Sequence, residues 1–196
     1  AGAHGKTTTT SMLGQIFFEA GADPSVIIGG EVDYLQGSSR WGRGEYSIAE
    51  ADESDGSFLK LNPKQIVITN IENDHMDHYG TLENLRRAFG QFIEKMPKDG
   101  IAVVCGENEG LQAVMPTVDR TFVTYGFGEN NDYQVSNLHY EEGKLVYDAM
   151  HKGQKVATIR LNVPGTHNAL NSLAAFIMAT HCGIPAEEVV KALSHF

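Results

Sequence analysis

Apolar positions follow two rhythms along the chain, one helical and one extended. From Thr7 to about Ala20, Met12, Leu13, Ile16 and Phe17 recur at helical spacing to make one apolar face, and Gly21 supplies a stop. Leu82 to Met96 can hold a second helix; Asn168 to Cys182, rich in Ala and Leu, reads as another, followed by a shorter one from Ala186 to Leu193. Short apolar runs at Val26 to Ile28, Tyr46 to Ala49, Gln65 to Ile71, Ile101 to Val104 and Thr121 to Tyr125 read as strands. Strands alternating with helices predict an α/β fold, a mostly parallel sheet flanked by helices.

After Gly128 the rhythm changes. Tyr133 to Tyr140 and Lys144 to Met150 alternate around Glu142-Gly143, and Lys152-Gly153 separates them from Lys155 to Leu161. This predicts a small antiparallel β meander, a sub-lobe over 129–163 that Pro164-Gly165 closes. Gly29 to Gly44 is the best candidate for a long functional loop.

Composition narrows the classes. The 196 residues are 41% hydrophobic, which suits one sizeable packed domain and excludes a disordered chain. No apolar run approaches the roughly 18 to 20 residues that cross a bilayer, so a membrane partner is not expected. With 15 Lys+Arg against 25 Asp+Glu the formal charge is −10, which argues against nucleic acid but leaves room for one local phosphate site. Cys105 and Cys182 form no CxxC and read as reduced thiols of a cytoplasmic protein, and no secretory signal opens the chain.

Four segments carry chemistry. Gly2-Ala3-His4-Gly5-Lys6-Thr7-Thr8 has the closing GK[ST] of a phosphate-binding loop and opens directly into a helix, as in P-loop NTPase folds. Its glycines let main-chain N–H groups approach phosphate oxygens, Lys6 can span the outer phosphates, and the Thr7 hydroxyl can sit on Mg²⁺. Glu45, Glu50, Asp52, Glu53 and Asp55 lie at and after the end of a strand, the edge where α/β proteins bind ligands; Glu50 shares a strand face with Ile48 and could reach a metal. A solvated acidic loop is the alternative. Thr69 to His78 follows another strand and delivers His75 and Asp77 to the same edge; His75 and His78, three apart, would also permit zinc, or serve as capping or surface residues. Finally, His167, Asn168 and Asn171 open the Ala-rich helix, where carboxamides could meet a purine edge or simply cap the first turn.

In this order and spacing, AGAHGKTTTT, EADESDGSF, TNIENDHMDHYG and PGTHNALNSLAA resemble the central ATP-binding domain of the Mur ligases, the ATP-dependent amide ligases of peptidoglycan precursor synthesis, over essentially the whole chain. The resemblance implies ATP and Mg²⁺ as ligands and catalytic roles for Lys6, Glu50 and His75. It assigns Gly2, Ala3, His4, Gly5, Lys6, Thr7 and Thr8 to the phosphates, Thr7, Glu50 and His75 to metal, and His167, Asn168 and Asn171 to the adenine side. Ala3 stands where the family often has Thr. Sister ligases carry a carbamylated lysine where this chain has Gly90 and Gln91, which favours the branch joining L-alanine to UDP-N-acetylmuramate, with the murein tripeptide ligase close behind. By the same resemblance, the strand before the phosphate loop, an N-terminal UDP-binding domain and a C-terminal ligase domain lie outside this sequence, and Gly29 to Arg43 faces the acid substrate. A rival from another class is a P-loop ATPase or kinase acting as a switch, which leaves the segments around His75 and Asn171 without work.

Overall fold

Strand β5 (Ile101–Cys105) is buried along its whole length, as an all-apolar strand covered on both faces must be, and the larger sheet is built outward from it. The computed structural model describes residues 1–196. The order in this sheet is β4 (Ile66–Ile68), β5, β6 (Thr121–Gly126), β7 (Tyr133–Glu141), β8 (Lys144–His151) and β9 (Gln154–Leu161). From β4 to β7 neighbours run parallel, with Val67 opposite Val103 and Val103 opposite Val123; β7 to β9 run antiparallel. The meander expected from the sequence is therefore present and continues the main sheet through a short parallel pairing, Tyr125 opposite Tyr133.

Helix α1 (Lys6–Glu19) occupies the stretch read from its apolar spacing, and α3 (Leu82–Glu94), α5 (Thr166–His181) and α6 (Ala186–Ser194) fall close to their expected bounds. Two short helices carried no usable periodicity: α2 (Met76–Tyr79) and α4 (Glu109–Val114) are one or two turns long. Helix α3 buries Phe89, Phe92 and Ile93, and Phe58 packs on the two rings at centroid separations of 5.2 and 4.8 Å. Helix α5 is buried from Ala169 to Ala179 except at Leu170, its alanines allowing close approach to the sheet.

A second, smaller sheet has the order β2 (Gly37–Arg40), β1 (Ser25–Val32), β3 (Ser47–Ala49), with β3 parallel and β2 antiparallel to β1. This corrects the expectation of a long loop from Gly29 to Gly44. The segment is a hairpin, with Ile27 opposite Ser39 and Val32 opposite Gly37, and its turn is held by the Tyr34 hydroxyl donating to Ser11 O at 3.2 Å. Strand β2 reads Gly-Ser-Ser-Arg, so backbone pairing rather than side-chain burial makes it a strand, and no apolar alternation announces it.

The two sheets do not touch edge to edge. Between β3 and β4 lies a cavity of about 790 Å³, lined by Ile48 and Ala49 on one side, Ile66 and Val67 on the other, and Leu13 and Phe17 of α1. Ala1 sits at its end in strand-like pairing, its amino group donating to Val67 O at 2.9 Å and its carbonyl accepting from Thr69 N–H at 3.1 Å.

The sheet and α5 are tied by one fully buried pair, Tyr147 on β8 and Ser172 on α5, with oxygens 2.7 Å apart. The Ser172 hydroxyl donates to Ala169 O, so Tyr147 is the donor of the pair. Replacing Tyr147→Phe removes this bond and strands a buried acceptor, which should cost about 1–2 kcal/mol. A thermal melt should show a midpoint lowered by roughly 3–6 °C, and an unchanged midpoint would rule the bond out as a tie.

Candidate functional site

The chain from Gly2 to Gly5 is pinned against the residues that follow β4. Ala3 N–H donates to Asn70 O at 3.3 Å, and His4 N–H to Asn70 Oδ1 at 2.9 Å; His4 O accepts from Thr69 Oγ1 at 2.6 Å and from Asn70 Nδ2 at 2.9 Å. Two glycines make this fit. A Cβ on Gly2 would fall 2.1 Å from Thr69 Oγ1, and one on Gly5, whose φ is 86°, would fall 2.6 Å from Asn171 Oδ1. The loop is thus wedged between the end of β4 and the first turns of α5.

Helix α1 begins at once, with Gly5 as its N-cap, no side chain capping it and no acidic residue in its first turn. Its first backbone bond runs from Thr9 N–H to Gly5 O, leaving the N–H groups of Lys6, Thr7 and Thr8 without an intrahelical acceptor. Such a terminus carries partial positive charge and free donors, the makings of an anion site.

Glu50 follows β3 directly, its N–H extending the ladder to Ile27 O at 2.9 Å. Its carboxylate accepts from Thr7 Oγ1 at 3.1 Å through both oxygens and from Gly29 N–H at 2.7 Å. A hydroxyl and a carboxylate side by side at an anion-binding helix end are hard oxygen donors, and this set fits a small divalent cation that completes its shell with phosphate oxygens and water.

A second carboxylate stands on the other side of Lys6. Glu53 is 1% exposed, and both its oxygens accept from Lys6 Nζ, at 3.0 and 3.1 Å. His75 Nε2 lies 3.4 Å from Glu53 Oε1 and 3.7 Å from Asp74 Oδ2. His75 caps α2 with φ 59°, its N–H held by Asp74 Oδ1 at 2.8 Å. Tyr79, one helical turn on, donates its hydroxyl to Glu53 O; burial, helped by Glu53, pushes that hydroxyl up to about 12. Asp52, 3.7 Å from Lys6, is exposed, and the Ser54 N–H holds its carboxyl below the usual carboxylate range.

Lys6, Thr7, Glu50 and His75 therefore fall into two neighbouring sets, Thr7 with Glu50 and Lys6 with His75 through Glu53, joined by the main chain between Lys6 and Thr7. Glu53 was named in sequence only as one acid among five; the signal that sets it apart, burial beside a lysine, is tertiary. Asn171 abuts Gly5, but its amide donates to Asn168 Oδ1 at 3.3 Å, and Asn168 donates to Pro164 O at 2.7 Å, so the two carboxamides serve each other and the helix start. His167 is exposed at that start. His4 is exposed too, its ring 3.4 Å from Glu72, while Thr8 is half-buried. Asp77 and His78 are exposed on α2, His78 lying over Gly56, and no group of three or more His, Cys, Asp or Glu with metal-holding geometry occurs, so the zinc option gains no support. Glu45 lines the cavity between the sheets, and Asp55 is bonded to Ser57 N–H. No helix is long and apolar enough to cross a membrane.

Known proteins resemble this chain in sequence and fold. A family model described as the Mur ligase middle domain matches residues 1–179. The UDP-N-acetylmuramate–L-alanine ligase of Syntrophotalea carbinolica is 41% identical over 196 residues, covering 100% of this chain and 43% of that protein. Among solved structures, a UDP-N-acetylmuramate–alanine ligase from Thermotoga maritima superposes with a TM-score of 0.88 at 29% identity, over 100% of this chain and 43% of that one. A UDP-N-acetylmuramate:L-alanyl-γ-D-glutamyl-meso-diaminopimelate ligase from Neisseria meningitides gives 0.91 at 27% identity, over 100% and 64%. The chain spans less than half the length of the L-alanine ligases it matches. Fold, motif order and family match agree, and the chain belongs to the Mur ligase middle-domain family.

Proposed function

We propose that this chain is the ATP-binding part of an ATP-dependent ligase that joins L-alanine to the carboxylate of UDP-N-acetylmuramate through an acyl phosphate. The observation that carries the reading is the open N-terminus of α1, whose first two residues pair with carboxylates, Thr7 with Glu50 and Lys6 with Glu53, the latter 3.4 Å from His75. The relatives' names supply the substrates: 41% and 44% identity to two L-alanine ligases favours alanine, while the solved alanine and tripeptide ligases, at 29% and 27%, do not separate the two.

A substrate carboxylate and a triphosphate repel each other, so the site must neutralise charge on the γ-phosphoryl while holding the two in line. Main-chain N–H groups of the loop and of the first turn of α1 take the phosphates, and Lys6 spans the outer ones. Thr7 and Glu50 would hold Mg²⁺ and His75 would serve a second metal position, where the cation would shield charge on the transferring group. The acid's carboxylate oxygen takes the γ-phosphoryl as its bond to the β-phosphate breaks and ADP leaves; the amine attacks the resulting acyl phosphate, gives up a proton, and inorganic phosphate leaves as the amide forms. Asn168, Asn171 and His167 border the nucleotide at the start of α5.

The rest of the enzyme lies on further domains, one for the UDP-sugar and one that brings the amino acid. One additional β-strand, leading into the phosphate loop, fills the cavity between β3 and β4. Supporting this are the apolar walls of that cavity and the strand-like pairing of Ala1 with β4.

Two outcomes follow. With ATP, UDP-N-acetylmuramate and L-alanine, residues 1–196 alone should release no phosphate above background, whereas the longer gene product should release it only when acid and amine are both present; release with ATP alone would favour the switch reading. Gly5→Ala forces a side chain into a left-handed backbone and against Asn171, at a cost of at least about 1 kcal/mol. Calorimetry with a nonhydrolysable ATP analogue should show at least about a tenfold loss of affinity, and wild-type affinity would remove the loop from the phosphate site.

A further inference from the structure

Glu53 is the least exposed acidic group of the site and the only one bonded to Lys6 through both oxygens. A buried carboxylate is costly to desolvate and persists only with compensating partners. Here the partners are the Lys6 ammonium, at 3.0 and 3.1 Å, and the His75 imidazole, at 3.4 Å. The main chain of Glu53 is fixed as well, its carbonyl accepting from Gly56 N–H at 3.1 Å and from the Tyr79 hydroxyl. Glu50, by contrast, is satisfied by Thr7 and Gly29 and touches neither group.

This arrangement poses a problem for the nucleotide reading, on which the inference rests. A lysine held by two carboxylate oxygens is not free to hold phosphates, and a negative charge next to a triphosphate opposes its entry. We propose that Glu53 is a positioning residue: its buried carboxylate clamps Lys6 to His75, and incoming phosphates take Lys6 from it, leaving Glu53 to orient the His75 ring. The carboxylate thus lowers affinity for bare nucleotide and raises the advantage of the metal-bound form, because the ring it orients is the one assigned to metal.

Calorimetric titration of the full chain with a nonhydrolysable ATP analogue, in chelator and then in Mg²⁺, separates this from a scaffolding role. Glu53→Gln removes the competing charge without changing volume, so affinity in chelator should rise about tenfold while the gain conferred by Mg²⁺ shrinks. A residue that merely shaped the site would lose affinity under both conditions, and that result, or no change, would overturn the proposal. The clamp itself is tested without nucleotide by a double-mutant cycle read in thermal midpoints. Lys6→Met strands the buried carboxylate and should lower the midpoint by roughly 5–10 °C. Adding Glu53→Gln to Lys6→Met should recover at least half of that loss; additive losses would show that the two side chains do not depend on each other. Failure of the wild-type chain to bind the analogue at all would sink the nucleotide reading and the exchange with it, and the stability cycle would still decide the clamp.

Discussion

The open N-terminus of α1 is the constraint around which the rest of the site is arranged. A helix that starts on a glycine, with no capping side chain and no acid in its first turn, leaves donors that must find an acceptor in solvent or in a ligand. Carboxylates gather round it, yet none bonds to the first-turn N–H groups: Glu50 goes to Thr7 Oγ1 and Gly29 N–H, Glu53 to Lys6, and Asp52 to Ser54. A formal charge of −10 does not by itself close this terminus to an anion, because none of the chain's acids bonds its free backbone donors. Here local geometry outweighs net charge.

Much of this was legible in the sequence, for identifiable reasons. Long helices and fully apolar strands announce themselves through period, and α1, α3, α5 and β5 appear where the pattern put them. The glycine loop before α1 was legible because its spacing is distinctive, and the structure gives Gly5 a left-handed backbone in which a side chain would meet Asn171. Strand β2 was not, since Gly-Ser-Ser-Arg has no apolar alternation and is recruited by pairing with β1 and by the bonds of Arg40 to Asp23 and Pro24 O. Nor was the use of Glu53. A run of five acids gives no means of choosing the member that turns inward, because that choice depends on where Lys6 and His75 arrive from other elements.

The start of α5 shows how one sequence feature can serve two ends. Asn168 and Asn171 are buried and bonded to each other and to Pro164 O, which is the behaviour of a polar first turn. Yet Asn171 also stands where any side chain on Gly5 would have to go. The carboxamide pair therefore fixes the height of the phosphate loop over α5 whether or not it touches a base, and structural and functional roles need not compete at these positions.

The clamp at Glu53 also bears on how the two sheets hold together. Glu50 and Glu53 follow β3 in the smaller sheet, whereas Thr69, Asn70 and His75 follow β4 in the larger one, and the cavity separates the two strands. At the ligand edge the gap is bridged by α1 and its loop: Thr7 reaches Glu50, Lys6 reaches Glu53, and His4 is tied to Thr69 and Asn70. Glu53 adds a direct link across the gap through His75 and through the Tyr79 hydroxyl. The separation of Glu50 from His75, on which any shared set of metal ions depends, is thus set by the same contacts that join the sheets. Stability and chemistry cannot be adjusted independently at this edge, and a buried carboxylate that would be a poor choice for stability alone becomes intelligible as part of the site.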